Sequence, residues 1–123
     1  MKKKLLAAAL LAAVPIGAAQ AMDVATFLAK ADALQKKGMM ALMSSDYKLL
    51  KNEVVAQSQV LRNERLAAQR AGRKPAYCPT AKSDLESGEI LAAFRTIPAA
   101  QRPRIQVRDA LRALLARKYP CRA

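Results

Sequence analysis

The sequence predicts an all-α protein, a small helical domain of about four helices cross-linked by one disulfide. Strong helix formers such as Ala, Leu, Lys, Arg, Glu and Gln dominate the chain, and glycine occurs only four times. No stretch alternates apolar and polar residues with the period of two that is typical of a strand. The chain also contains only two cysteines, Cys78 and Cys121. Each element can be placed in order along the chain.

An export signal is predicted at residues 1–21. Three lysines at positions 2–4 precede an apolar segment, residues 5–16, which is shorter than the ~20 residues that span a bilayer. Ala19-Gln20-Ala21 matches the small-x-small pattern of a cleavage site. We therefore expect cleavage after Ala21, a periplasmic mature chain of residues 22–123 that forms a single helical domain, and no stable membrane anchor. An uncleaved anchor is the alternative.

The first helix is predicted to begin at the N-cap Asp23 and to end at Lys36-Lys37-Gly38. Its buried stripe is expected at Val24, Phe27, Leu28, Ala31 and Leu34. A short apolar link follows, in which Met39, Met40 and Met43 surround Leu42. We expect this methionine cluster to lie in the core; an adaptable contact surface is the alternative.

A long second helix is predicted from caps at Ser44, Ser45 and Asp46 to about Ala71, with Gly72 closing it. An approximate heptad seam runs along it, interrupted at two polar positions. The seam residues are Tyr47, Leu50, Val54, Leu61 and Ala68, and the interruptions are Gln57 and Glu64.

Two shorter helices are predicted after a loop at residues 73–82. Ser83-Asp84-Leu85-Glu86 has the pattern of a capping box and predicts the start of the third helix, which ends at Ile97-Pro98. Its inward residues are expected to be Leu85, Ile90, Leu91 and Phe94. The fourth helix is predicted to stop before Pro120, with Val107, Leu111, Leu114 and Leu115 on one face.

The mature chain is strongly basic. Without the three lysines of the export signal it has 19 basic and 9 acidic residues, a net charge of +10. The second half is the more electropositive, with 11 basic and 4 acidic residues at positions 72–123. Outside the cytoplasm such a charge favours membrane headgroups, peptidoglycan carboxylates and acidic proteins as partners, and not nucleic acid. A solvated basic surface without a partner is the alternative.

Cys78 and Cys121 are predicted to form a structural disulfide, because an exported chain with two cysteines is oxidised outside the cytoplasm. Two free thiols and an intermolecular bridge are the alternatives. The chain has no histidine, which removes the commonest general base and the commonest zinc ligand. Asp84, Glu86 and Glu89 are the remaining acid–base candidates. We expect no enzyme, no catalytic residue, no metal site and no cofactor.

Two groups of residues are candidates for contact with a partner. Arg73, Lys74 and Tyr77 lie in the long loop, where recognition residues are common. Arg104, Arg108 and Arg112 recur every four residues, so we expect them to line one strip of the last helix. A purely structural loop and a solvated helix face are the respective alternatives.

The segment of residues 75–121 resembles the Rap/Tai family of immunity proteins. The resemblance rests on Tyr77-Cys78-Pro79, on a helix ending Phe94-Arg95-Thr96-Ile97-Pro98, on Gln101-Arg102 and on the closing Lys118-Tyr119-Pro120-Cys121. Members of that family are small all-helical periplasmic proteins in which the two matching cysteines are bridged. The characterised members bind and block peptidoglycan amidases that type VI secretion delivers.

The resemblance implies a periplasmic protein that inhibits such an amidase by filling its active-site cleft with a loop or a helix end. It covers under half of the mature chain, and the additional N-terminal cysteines of many family members are missing here. A periplasmic chaperone-like protein, or a helical protein that binds anionic envelope components, is the alternative. A homodimer is compatible with either function.

Overall fold

Four α-helices make up most of the structure, a computed structural model that describes residues 21–122. They are α1 (Val24–Lys36), α2 (Ser45–Arg70), α3 (Ser87–Arg95) and α4 (Val107–Lys118). Two short 3₁₀ segments, Gly38–Met43 and Arg102–Arg104, precede α2 and α4. The all-α prediction is confirmed. The predicted export signal lies, except for its last residue, outside the described residues.

α1 begins and ends where the sequence predicts. The Asp23 carboxylate accepts a hydrogen bond from the Thr26 backbone N–H at 2.8 Å, which satisfies one of the free donors at the helix start. All five residues of the predicted stripe are buried. Backbone hydrogen bonds of 2.8 Å from Val24 N to Ile105 O and from Val107 N to Met22 O tie the start of α1 to the start of α4.

α2 is the long axis of the domain. Its 26 residues span about 39 Å at 1.5 Å per residue. It runs antiparallel to α1, since Lys30 pairs with Asp46 at the start of α2 and the Met22 N–H reaches Glu53 further along. The end of α1 and the end of α2 therefore lie at opposite ends of the molecule.

α4 runs parallel to α2, and two cross-helix contacts set its register. The Arg108 Nε donates to Gln57 Oε1 at 2.7 Å, and Arg112 pairs with Glu64 at 3.0 Å. Gln57 and Glu64 are the two positions that interrupt the predicted seam, so each interruption is a polar contact with α4. The predicted apolar face of α4 is buried.

α3 starts three residues later than predicted. Glu86 is its N-cap, and Glu86 with Glu89 forms the capping box, so the box predicted at Ser83 is wrong. The reason lies in the backbone of Asp84, whose N–H donates to the Tyr119 hydroxyl at 3.0 Å and whose carbonyl accepts from Lys118 Nζ at 2.6 Å. The bond to Lys118 occupies the Asp84 carbonyl, an acceptor that a helix capped at Ser83 would use in its first turn.

The core lies between α1, α3 and α4, and α2 packs against α1 and α4. The Phe27 and Phe94 rings pack edge-to-face with centroids 5.2 Å apart, which joins α1 to α3. Ile90 and Phe94 are buried as predicted, and Leu85 and Leu91 are partly buried against the same cluster. No helix among residues 21–122 has both the length and the apolar character needed to cross a bilayer.

The methionine cluster is exposed, so its predicted place in the core is wrong. Met39 and Met43 expose 86% and 82% of their surface, and Met40 and Leu42 expose 67% and 59%. Gly38 adopts φ +58°, a left-handed conformation that turns the chain away from the end of α1. The core closes at Leu34 and Leu50, and of this segment only Ala41 packs against it.

Candidate functional site

The loop of residues 71–86 is held at both of its ends. Gly72 adopts φ +72° after α2, and the Gly72 and Arg73 N–H groups donate to the carbonyls of Gln69 and Ala68, which is a Schellman motif. Further along, the Cys78 N–H donates to the Tyr119 carbonyl at 2.8 Å. The loop therefore has a defined path over the ends of α2 and α4.

The predicted disulfide between Cys78 and Cys121 is present, with Cα atoms 4.8 Å apart. It joins the loop to the residues just after α4, and it lies beside the bonds from Tyr119 and Lys118 to the backbone of Asp84. A covalent bond and several hydrogen bonds thus hold the same two segments together. Such a disulfide is compatible with an exported protein.

Tyr77 is buried, with only 2% of its surface exposed, so its ring is a core residue and not a surface contact. The Arg65 guanidinium lies over the ring, 5.3 Å from its centroid, in a cation–π contact. The Arg65 Nε is buried without a hydrogen-bond partner among the described residues. Tyr77 thus anchors the loop to α2 from inside, beneath the Arg65 guanidinium.

Two grooves flank the Arg65–Tyr77 pair. One, of about 340 Å³, is lined by Arg73 and Lys74 together with the last turns of α2. The other, of about 720 Å³, is lined by Arg62 and Lys82 and runs towards Asp84. Both grooves share Arg65 and Tyr77. We refer to Arg62, Arg65, Arg73, Lys74 and Lys82 as the basic face.

The charge of the basic face is not neutralised within the described part of the chain. None of its five cations makes an ion pair with a carboxylate of residues 21–122. Glu64, which lines one groove, is already paired with Arg112. Arg73 and Lys74 are exposed. The face therefore presents positive charge on a constrained surface, which suits an anionic partner.

The three arginines predicted to line the last helix do not form one strip. Arg104 lies in the 3₁₀ segment before α4 and is exposed, so its placement on that helix is wrong. Arg108 and Arg112 are half-buried and bind Gln57, Glu64 and Asp109. Arg108 and Arg112 therefore connect α4 to α2, and Arg104 lies at the opposite end of α4 from the disulfide.

The acidic residues near the third helix have structural contacts. Glu89 accepts from Lys118 Nζ at 2.7 Å and from the Glu86 N–H at 2.8 Å. The Lys118 hydrogen bond, assisted by that backbone N–H, lowers the pKa of Glu89, and the same contact raises the pKa of Lys118. No group of three or more potential ligands within residues 21–122 is placed to hold a metal ion.

Sequence reasoning found Arg73 and Lys74 but missed Arg62, Arg65 and Lys82. Arg62 and Arg65 are three residues apart and so share one side of α2. This spacing is a signal in the sequence that could have identified them. Lys82 is far from both in sequence, and only the path of the loop brings it to the same groove.

Comparison of the chain with protein-family models, with curated proteins and with solved structures gave no match.

Proposed function

We propose that this protein is exported to the periplasm, cleaved after Ala21, and acts there by binding a protein partner. By its resemblance over residues 75–121, the partner is a peptidoglycan amidase delivered by type VI secretion, and the protein is an immunity-type inhibitor. The export motif at residues 1–21 and the disulfide support the compartment.

One observation carries the proposal: Arg73 and Lys74 are exposed, unpaired within residues 21–122, and located on a loop that a disulfide and a buried tyrosine hold in place. A loop that is already ordered loses little conformational entropy on binding. The partner is expected to present acidic side chains to this loop, because Arg73 and Lys74 need not break an ion pair within residues 21–122 in order to bind them.

The experiment is a protection assay in a sensitive bacterial host. A type VI amidase from the same genome is directed to the host periplasm, and lysis is measured with and without this protein. We expect protection by the wild type. The double variant Arg73→Glu/Lys74→Glu should lose it, because reversed charges repel acidic groups and slow association.

The matched control is Arg104→Glu, which reverses an exposed arginine at the other end of α4. It should protect as the wild type does. Absence of protection against every secreted amidase of that genome would refute the immunity function. Equal protection by wild type and Arg73→Glu/Lys74→Glu would refute the assigned surface.

A further inference from the structure

The exposed segment between α1 and α2 is the most unusual surface of the molecule. We refer to Gly38–Met43 as the methionine tip. Four large apolar side chains there are mostly exposed, and they follow one another within five residues: Met39, Met40, Leu42 and Met43. Single exposed apolar residues are ordinary, but a contiguous group of this kind marks an interaction site.

The methionine tip is surrounded by positive charge. Lys36 and Lys37 directly precede it, and Lys48 and Lys51 follow in the first two turns of α2; all four are exposed. The only acidic residue between positions 36 and 51 is Asp46, which is paired with Lys30 at 3.4 Å. The surface therefore combines an apolar end with four cations at its base.

A second copy of the chain fits this surface poorly, because two tips in contact would bring eight lysines together without compensating carboxylates. A fixed pocket in a protein partner fits less well than a fluid surface. Unbranched methionine side chains have no single preferred shape, and all three methionines of the tip are at least 67% exposed. An anionic bilayer accommodates both features, since headgroup phosphates bind lysines while flexible apolar groups enter the acyl boundary.

We propose that the methionine tip binds reversibly to the anionic surface of a lipid bilayer. Met39, Met40 and Met43 enter the boundary between headgroups and acyl chains, and Lys36, Lys37, Lys48 and Lys51 bind lipid phosphates. Since α2 is about 39 Å long, the basic face at its other end remains directed away from the bilayer. The inference is independent of the proposed immunity function, because the two surfaces share no residue.

The experiment is co-sedimentation of the mature protein with vesicles that contain about one-third phosphatidylglycerol in phosphatidylcholine. Binding should be strong at low salt, weak to pure phosphatidylcholine, and reduced at high salt. Met39→Ser/Met43→Ser should reduce it on the order of tenfold, because apolar area is lost from the acyl boundary. Lys36→Gln/Lys37→Gln should reduce it roughly 10- to 30-fold.

Each variant has a matched control. Val55→Ser changes an apolar residue that is 61% exposed on α2 but outside the tip, and it should bind as the wild type does. Arg73→Gln/Lys74→Gln removes the same charge as the lysine variant from the other end of α2. It should retain most vesicle binding, while Lys36→Gln/Lys37→Gln should retain protection against the amidase.

A tryptophan reporter gives a second measurement, because the chain contains no tryptophan. In Met40→Trp, anionic vesicles should shift the emission to the blue, and brominated acyl chains should quench it; Val55→Trp should show neither effect. Absence of vesicle binding at low salt, or binding that the tip variants leave unchanged, overturns the proposal. The proposal is also overturned if Met39→Ser/Met43→Ser abolishes a concentration-dependent dimer while vesicle binding persists. The same holds if that variant abolishes saturable binding to an acidic protein while vesicle binding persists.

Discussion

Removal of the disulfide should cost this domain a large part of its stability. Cys78 and Cys121 are 43 positions apart, so the bond closes a loop of about 44 residues, for which the chain-entropy relation gives about 4 kcal/mol. Domains of this size are stable by only ~5–15 kcal/mol. A loss of 4 kcal/mol corresponds to a decrease in Tm of about 15–20 °C.

The structure indicates which part of the molecule changes. Bonds from the Tyr119 and Lys118 side chains to the Asp84 backbone link the same two segments, and these remain when the disulfide is removed. The folded state should therefore keep its helices, and the lost free energy should come mainly from the greater freedom of the unfolded chain. The variant Cys78→Ala/Cys121→Ala is expected to be less stable but equally helical.

Urea unfolding followed by far-UV circular dichroism measures this effect. The wild type in reducing buffer is the matched control, because it lacks the bond but retains both side chains. Reduced wild type and Cys78→Ala/Cys121→Ala should agree. A change in the free energy of unfolding below about 1 kcal/mol for both would refute the chain-entropy reasoning, since the unfolded chain would then gain little freedom when the bond is removed.

Two further predictions concern side chains that connect the helices. Arg108→Leu should lower the free energy of unfolding by about 1–3 kcal/mol, because the buried Gln57 amide oxygen loses its donor. The double variant Arg108→Leu/Gln57→Leu should recover part of that loss in the same urea measurement. Glu89→Gln should flatten the pH dependence of stability in the acid range. The Lys118 hydrogen bond lowers the pKa of Glu89 in the folded protein. The ionised carboxylate therefore adds its full contribution to the free energy of unfolding above the ordinary pKa of 4.5, and this contribution is lost as the pH falls through the lower pKa of the folded state.

The controls for these two predictions are equally direct. If Arg108→Leu and the double variant are equally destabilised, the 2.7 Å hydrogen bond to Gln57 is not the cause of the loss. The control for Glu89→Gln is Asp109→Asn. It removes an exposed first-turn carboxylate of α4 that pairs with Arg112 and does not contact Lys118. A pH profile for Glu89→Gln as steep as that of the wild type would refute the assignment.

Local sequence patterns were sufficient for the parts of the fold that short-range physics controls. The Asp23 cap, the Gly38 and Gly72 turns and the buried stripes of α1 and α4 depend on neighbours within one or two turns. The disulfide was also predictable, since a chain with two cysteines has one internal pairing.

The candidate site could be predicted only in part. Arg73 and Lys74 were accessible to sequence reasoning because a loop after a capped helix is exposed. Tyr77 was not, because an aromatic residue in a loop can face either solvent or core, and the contact with Arg65 lies outside any local pattern. The same limit applies to Lys82, which reaches the basic face through the path of the loop.

Composition and short spacings are enough to establish the helical class, the positions of α1, α2 and α4, the cross-link and the strong positive charge. Packing between the helices sets where α3 begins, which arginines bind another helix and which apolar residues remain exposed. Lys118 and Tyr119 bind the Asp84 backbone, α2 binds Arg108 and Arg112, and no described element covers the methionine tip. Each of these outcomes depends on contacts between residues distant in sequence, which spacing along one helix does not encode.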